Sequence, residues 1–393
     1  MGKSSQQPAP SISARPYLVL YGLTVAAFLG ASFFPEFRLW GLGSWACLPT
    51  WTLLLLFVPA GAVAAFIMRP PHPEAPSDSG SRLCLPLAAV CGGTLIGAMI
   101  LLPQMTHFLG DGYTLLKWLE DGGAINKMRN FGAQQTFLVL SGLLPTAGLE
   151  VFRVVAWGAG LLAIIAAFTA GAALFADTPR RVLFSLGVLT GGYMLLFFGY
   201  VENYAVFVLM VLAFCLTGAL GALGRIHPLW CLVPLAGAVF YHIFGVTLLP
   251  AAAYLVLRDT AIGRRIGRFT LATRWLILGL GAIVGLSIFA WLYTHSYFFR
   301  FSFVPVVSNR FTVEGYTRLS PAHLADLLNL LVLLVPGVLL ITLALRHHGL
   351  KWLINQPVYR FLGLAAVGGW GAAFLFDPRS EEHTSELQSR QVI

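Results

Sequence analysis

Uncharged apolar runs of about 20 residues recur along nearly the whole chain, and that recurrence decides the fold class before any motif is read. The runs fall near 17–34, 45–68, 83–103, 152–176, 182–199, 204–223, 229–241, 245–257, 275–294, 325–345 and 361–376. A run of this length matches one helix crossing a hydrocarbon layer about 30 Å thick. Hydrophobic residues make up 58% of the 393 and charged residues only 10%, where soluble domains carry about 25% charge. One water-excluding core cannot hide that surplus, so a soluble enzyme, a disordered chain and a disulfide scaffold are excluded. A β-barrel is excluded too, because its strands would alternate over about 10 residues. The expectation is an all-α polytopic transmembrane bundle of about eleven spans. The two runs flanking His242 are short for a membrane, which leaves them tilted, half-inserted or parts of one broken helix.

Charge sets the orientation. With the N-terminus cytoplasmic, the inner loops collect fifteen Lys and Arg and the outer loops eight, counted up to Pro378. That is the positive-inside bias. The net charge of +9 is therefore spread through short loops, and no basic stripe with interleaved aromatics points to nucleic acid. Asp111, Glu120, Asp121, Glu150, Glu202, Glu314 and Asp326 all fall outside, so chemistry is expected at the outer face. Cys47, Cys84, Cys91, Cys215 and Cys231 lie inside apolar runs without metal spacing and read as core residues. The run from Tyr17 to Phe34 lacks a small-residue cleavage site and reads as a first span rather than a removed signal.

At Arg379 the text changes abruptly. The string from Arg379 to Ser389 resembles, residue for residue, the translation of a widely used short-read library adapter. Residues 379–393 are therefore set aside as non-native, and the natural reading frame is expected to continue past Pro378. The expected organisation is a two-span segment with a Pro- and Ser-rich cytoplasmic linker over 1–82, then a membrane core over 83–378.

Two external segments are long enough to build a site, Gln104 to Gln135 and His295 to Pro321. The first carries His107-Phe-Leu-Gly-Asp-Gly-Tyr113, in which two glycines let the backbone turn tightly and present Asp111 beside the membrane surface. A carboxylate there can act as a base toward a hydroxyl, or serve as an ordinary turn residue. A second motif, Phe197-Phe-Gly-Tyr-Val-Glu-Asn-Tyr204, interrupts some forty apolar residues with Glu202 and Asn203. Ionisable groups at such depth are costly and are usually functional or paired, the alternative being that Glu202 caps the following helix or marks a short hairpin exposed to water; Tyr200 and Tyr204 offer aromatic planes with hydroxyls, suited to a sugar. His242 lies outside between two short runs, either as a hydrogen-bonded structural residue or as a contact for a substrate hydroxyl or phosphate. The last loop supplies Arg300, Arg310 and Arg318 amid aromatics, which suits either a lipid phosphate or plain anchoring at headgroup level. His323, Asp326 and Asn329 share one helix face and are expected to turn inward. No metal or other cofactor motif is present in the sequence.

A long apolar helix, then a membrane-proximal acidic residue in the first large external loop, then interfacial helix-like segments (Tyr113 to Leu119, Thr136 to Leu144) resembles the C-type membrane glycosyltransferases. Protein mannosyltransferases and lipid A aminoarabinose transferases belong to that superfamily. The resemblance spans roughly Leu83 to Pro378; many relatives carry a second acidic residue where this chain has Gly112. It implies an integral protein of a bacterial inner membrane with its site facing the periplasm or exterior. There Asp111 would be the catalytic base, and a polyprenyl-phosphate sugar would be the donor to a glycan, lipid or protein acceptor. Tyr113, Tyr200, Glu202, Asn203, Tyr204, His242, Arg300, Arg310 and Arg318 would contact substrate. The competing readings are a transporter or flippase for a lipid-linked saccharide, with Glu202 and His242 lining its path, and a non-catalytic relative.

Overall fold

The computed structural model describes residues 15–34, 79–104, 112–122, 130–144, 148–296, 299, 303–304, 317–335, 345–346 and 349–376. Among the described residues every regular element is helical, and the one strand-like feature is an isolated antiparallel bridge between Phe303 and Phe376. The apolar run at 45–68 lies outside the described residues. Among the described residues, three helices are long and apolar enough to cross a membrane: α5 (Gly148–Leu174), α7 (Ala205–Ala222) and α14 (Pro357–Leu375). The chain is thus an all-helical membrane protein.

The chain divides into two compact units, one of Met1–Ser79 with Pro321–Leu350 and one of Gly80–Ser320 with Lys351–Ile393. The first holds α1 (Arg15–Ser32) and α12 (Pro321–Leu334). On α12, His323, Asp326 and Asn329 are buried, as their shared face predicts. The second unit holds α2 (Ser79–Leu101), α3 (Gly112–Glu120), α4 (Phe131–Leu143), α5, α6 (Thr178–Leu189), α7, α8 (Leu232–Tyr241), α9 (Leu249–Asp259), α10 (Ala261–Ile266), α11 (Leu271–His295), nearly all of α13 (Leu350–Asn355) and α14.

In the second unit, α5 packs against α6 and α7, α7 against α8, and α14 against both α7 and α9. The inward stripe of α5 is Ala156, Ala159, Gly160, Ala163 and Ala167, whose small side chains let neighbouring backbones approach. A Cβ at Gly160 would lie 2.7 Å from the Phe197 Cβ. Gly218 of α7 does the same for α14, since a Cβ there would overlap the buried Phe361 ring. Leu161, Leu162 and Ile165, on the other side of α5, stay exposed, as lipid-facing side chains should.

Among the described residues, the apolar text breaks from a single helix at two places, after Leu189 and at His242. The run at 182–199 is α6 followed by a 3-10 helix, Gly192–Phe197. Asp177 starts α6 by accepting the Arg180 N–H at 2.9 Å. Thr190 and Gly191 end it, with Gly191 extended at φ −68 and ψ 146; adjacent glycines weaken a helix by about 1 kcal/mol each relative to alanine. The runs around His242 are two separate arms. Helix α8 ends at Tyr241, His242 is extended (φ −156, ψ 133), and the 3-10 helix Ile243–Leu248 folds back onto α8 before α9 begins. Gly245 permits the reversal, because a Cβ there would meet the Val239 nitrogen at 2.5 Å.

Candidate functional site

Of the described residues offered as substrate contacts, Tyr113, Tyr200, Glu202, Asn203, Tyr204, His242 and Arg318 all belong to the second unit. The chain leaves α2 with the Gln104 N–H bonded to the Phe198 carbonyl at 2.8 Å, and Trp157 Nε1–H of α5 reaches the Met99 carbonyl at 2.9 Å. The turn from Phe198 to Tyr204 therefore sits where α2 ends, beside α5. Gly199 makes that turn with φ +76, and a Cβ at this position would stand 3.0 Å from Arg153 Cγ. The positive φ favours glycine there, and a Cβ would also press on the Arg153 stem.

Beyond the turn, Val201 is fully buried among α3, α4 and α5 residues: Leu115, Leu119, Ala133, Phe137 and Phe152. The two short helices predicted to lie in the interface are thus packed onto the start of α5. Their sequence shows why: Leu115 and Leu119 point in while Lys117 and Glu120 point out. Tyr113 is exposed on α3. Glu202 and Asn203 are buried at 6% and 5% exposure, which decides that this is not a water-washed hairpin. Glu202 Oε2 accepts the Asn203 N–H at 3.2 Å, and Tyr200 and Tyr204 are half-buried on either side.

His242 meets this turn from α8. Its ring centroid lies 5.2 Å from Tyr204, 5.2 Å from Phe207 and 4.7 Å from Phe244. Its Nδ1 accepts the Phe244 N–H at 3.1 Å and so caps the following 3-10 helix. With Nδ1 an acceptor, the neutral ring carries its proton on Nε2. Next door, the Tyr241 and Thr136 hydroxyls are 3.1 Å apart and Phe131 stacks edge-on with Phe240 at 5.8 Å, which ties α4 to α8.

From His242 an aromatic path leads to the segment that follows α11. Phe244 contacts Phe376 (4.8 Å), Phe376 contacts Phe303 (4.5 Å), and the Val304 N–H bonds the Leu375 carbonyl at 3.0 Å. Arg318 Nη2 then donates to the Val304 carbonyl at 2.9 Å, while its Nε is buried without a hydrogen-bond partner. Part of this guanidinium therefore holds the loop backbone. Asp111, Arg300 and Arg310 lie outside the described residues.

Asn130 and Gln134, which the sequence reading passed over, join the same end. Both are buried on α4 and its N-cap position, four residues apart and so on one helix face. Their signal was available: two amides four residues apart at the start of a largely apolar helix. Oxygen Oδ1 of Asn130, Oδ1 of Asn203 and Nε of Arg153 are buried without a hydrogen-bond partner. Arg153 is otherwise paired, Nη1 to Glu150 Oε1 at 2.7 Å. The arrangement offers amide, carboxylate and imidazole groups beside aromatic faces in a low-dielectric setting, which suits recognition of a polyhydroxylated or phosphorylated headgroup. No cluster of three metal-ligating side chains occurs among the described residues. Compared with known proteins, the chain matches no protein-family model, no curated protein and no solved structure.

Proposed function

We propose that this chain is a membrane glycosyltransferase that moves a sugar from a polyprenyl-phosphate donor to an acceptor hydroxyl at the extracytoplasmic face. The observation that carries the reading is the gathering of buried polar side chains, Asn130, Gln134, Glu202, Asn203 and His242, on elements that touch one another at one end of the helices. A buried polar atom left unpaired costs about 1–3 kcal/mol. Asn130 and Asn203 each leave one such oxygen, a cost that a bound sugar hydroxyl would offset. In this reading Asp111, which the sequence places between α2 and α3, takes the acceptor proton. The acceptor oxygen forms a bond to the anomeric carbon as the bond from that carbon to the phosphate oxygen breaks, and the polyprenyl phosphate leaves with inversion. Tyr113, Tyr200 and Tyr204 offer faces to the sugar, while Arg300, Arg310 and the unpaired edge of Arg318 balance the phosphate.

A second reading has its own support. Breaks in helices at the depth of polar side chains are characteristic of transporters, and the described residues include two, after Leu189 and at His242. One experiment separates them. Membranes carrying the protein are supplied with a radiolabelled polyprenyl-phosphate sugar, beside membranes with Asp111→Asn. Transfer by the wild type and a loss of a hundredfold or more in the variant are expected. Equal transfer by both refutes the role of Asp111, and labelled lipid crossing the membrane without transfer favours the transporter.

A further inference from the structure

The opposite end of α7 carries a second polar site that the transfer reaction does not use. Helix α7 has 18 residues, about 27 Å, so this end is a membrane thickness away from Glu202 and Asn203. There the chain turns sharply: Gly224 takes φ +69 and the Arg225 N–H returns to the Leu220 carbonyl at 2.9 Å. His227 follows, and its Nδ1 accepts the Leu229 N–H at 3.3 Å to cap the 3-10 helix Pro228–Cys231. The neutral ring so held keeps its proton on Nε2, a donor. Arg258 and Asp259 close the other side from the last turn of α9, Arg258 Nε lying 3.2 Å from Asp259 Oδ1. Between them lies an open cavity of about 670 Å³ lined by this turn and by Arg258 and Asp259.

Ile226 belongs to that cavity and also to a second one of about 480 Å³. The second is an almost wholly apolar groove. One wall is Met210, Ala213 and Thr217, a single stripe of α7, and the other is Trp230, Val233 and Pro234. From Met210 to Thr217 the stripe covers about 10 Å along the helix. A polar cavity with two arginines against one aspartate thus shares its Ile226 wall with an apolar groove that runs toward the middle of the helix. Water-soluble anions have no use for the groove, and a plain acyl chain has no use for the arginines. Trp230, in the wall of the groove, is exposed, as an indole at headgroup level is. Arg264, Arg265 and Arg268, all exposed just beyond α9, add positive field at the same end.

We propose that this is a binding site for one anionic phospholipid, with its phosphodiester at Arg225, Arg258 and His227 Nε2–H and one acyl chain along the Met210–Thr217 groove. Arg258 keeps its contact with Asp259 through Nε, and its terminal nitrogens serve the phosphate. The end of α7 concerned is the one that the Lys and Arg count assigns to the cytoplasmic side, where juxtamembrane arginines attract anionic lipid.

Native mass spectrometry of the purified full chain tests this, after exchange with equimolar phosphatidylglycerol, phosphatidylcholine and phosphatidylethanolamine of one chain length. One retained phosphatidylglycerol per protein is expected, preferred about tenfold over each of the other two, about the worth of one charge-assisted contact. Arg225→Gln with Arg258→Gln should bring the three lipids to parity, Arg225→Lys should keep most of the preference, and Ala213→Trp should lower retention of all three by filling the groove. Glycerol phosphate at equal concentration should not displace the lipid. Equal retention of the three lipids by the wild type, an unchanged preference in the double glutamine variant, or full displacement by glycerol phosphate would each overturn the proposal. The wild-type comparison alone decides it if a variant does not fold.

Discussion

His242 is where structure and function can be pulled apart by substitution, because two of its structural contributions reside in different atoms. Nδ1 caps the 3-10 helix by accepting the Phe244 N–H, and the ring fills a space between Tyr204, Phe207 and Phe244. His242→Phe keeps the ring and removes the acceptor, leaving a backbone donor unmet in apolar surroundings at a cost of about 1.5 kcal/mol. His242→Asn keeps a cap-competent oxygen and removes the ring with its three aromatic contacts, which costs about 2 kcal/mol. His242→Ala loses both, about 3.5 kcal/mol, since the two contributions use different neighbours. The assay is reversible unfolding in mixed micelles, where 1.4 kcal/mol is a tenfold change in the unfolding constant. Phenylalanine at wild-type stability, or alanine no worse than asparagine, would refute the division. If His242 also touches substrate through Nε2, both the Phe and the Asn variants lose sugar transfer per folded molecule, whereas a purely structural histidine leaves it unchanged.

Other substitutions probe the same frame. Gly218→Val should destabilise the protein by about 2–3 kcal/mol through overpacking against Phe361, and pairing it with Phe361→Leu should recover part of the loss; independent, additive effects in the unfolding assay would contradict the close approach of α7 and α14. Gly199→Ala should cost about 1–2 kcal/mol, because φ +76 is unfavourable for any Cβ and Arg153 Cγ leaves no room for it; the same unfolding assay reads it, and a neutral effect would mean that the turn relaxes. Asn203→Ala should leave stability within about 1 kcal/mol of wild type, since its Oδ1 has no protein partner, yet lower transfer at least tenfold; a variant that transfers normally would remove Asn203 from the substrate site.

The helical class was legible from hydropathy because a helix satisfies its own backbone and needs only apolar side chains facing lipid. Helix breaks were not. The run at 182–199 stays apolar across Thr190, Gly191 and Gly192, and hydropathy is blind to the backbone change that turns α6 into a 3-10 helix there. At His242 the sequence marked the place but left three geometries open; the reversal follows from Gly245 packing on the backbone of Val239, a contact between residues that no periodicity relates. The short helix α10, a basic stretch of six residues, leaves no span-length signal in the sequence. For the candidate site, Glu202, Asn203 and His242 stood out as polar interruptions of apolar text and are buried together with Asn130 and Gln134, which were missed. Amides in a short apolar helix read as interfacial until the helix they face is known. The role of Arg318 divided for a similar reason: sequence gives its charge, while the carbonyl of Val304 that it holds belongs to a partner fourteen residues away.

The lodging of α14 between α7 and α9 has a consequence for biosynthesis. Phe361 and Ala365 complete a core with Phe214, Leu235, Leu255 and Ala251, yet they leave the ribosome about a hundred residues after α9, a delay of roughly 5–20 s at ordinary translation rates. Throughout that interval the nascent chain holds an unfilled slot whose floor is Gly218, narrow enough to reject most helices but open to lipid or to the insertion machinery. Assembly of this unit therefore cannot finish span by span as the chain is made. Its early helices wait for a late one, and a nascent chain stalled in that window is the form most exposed to quality control.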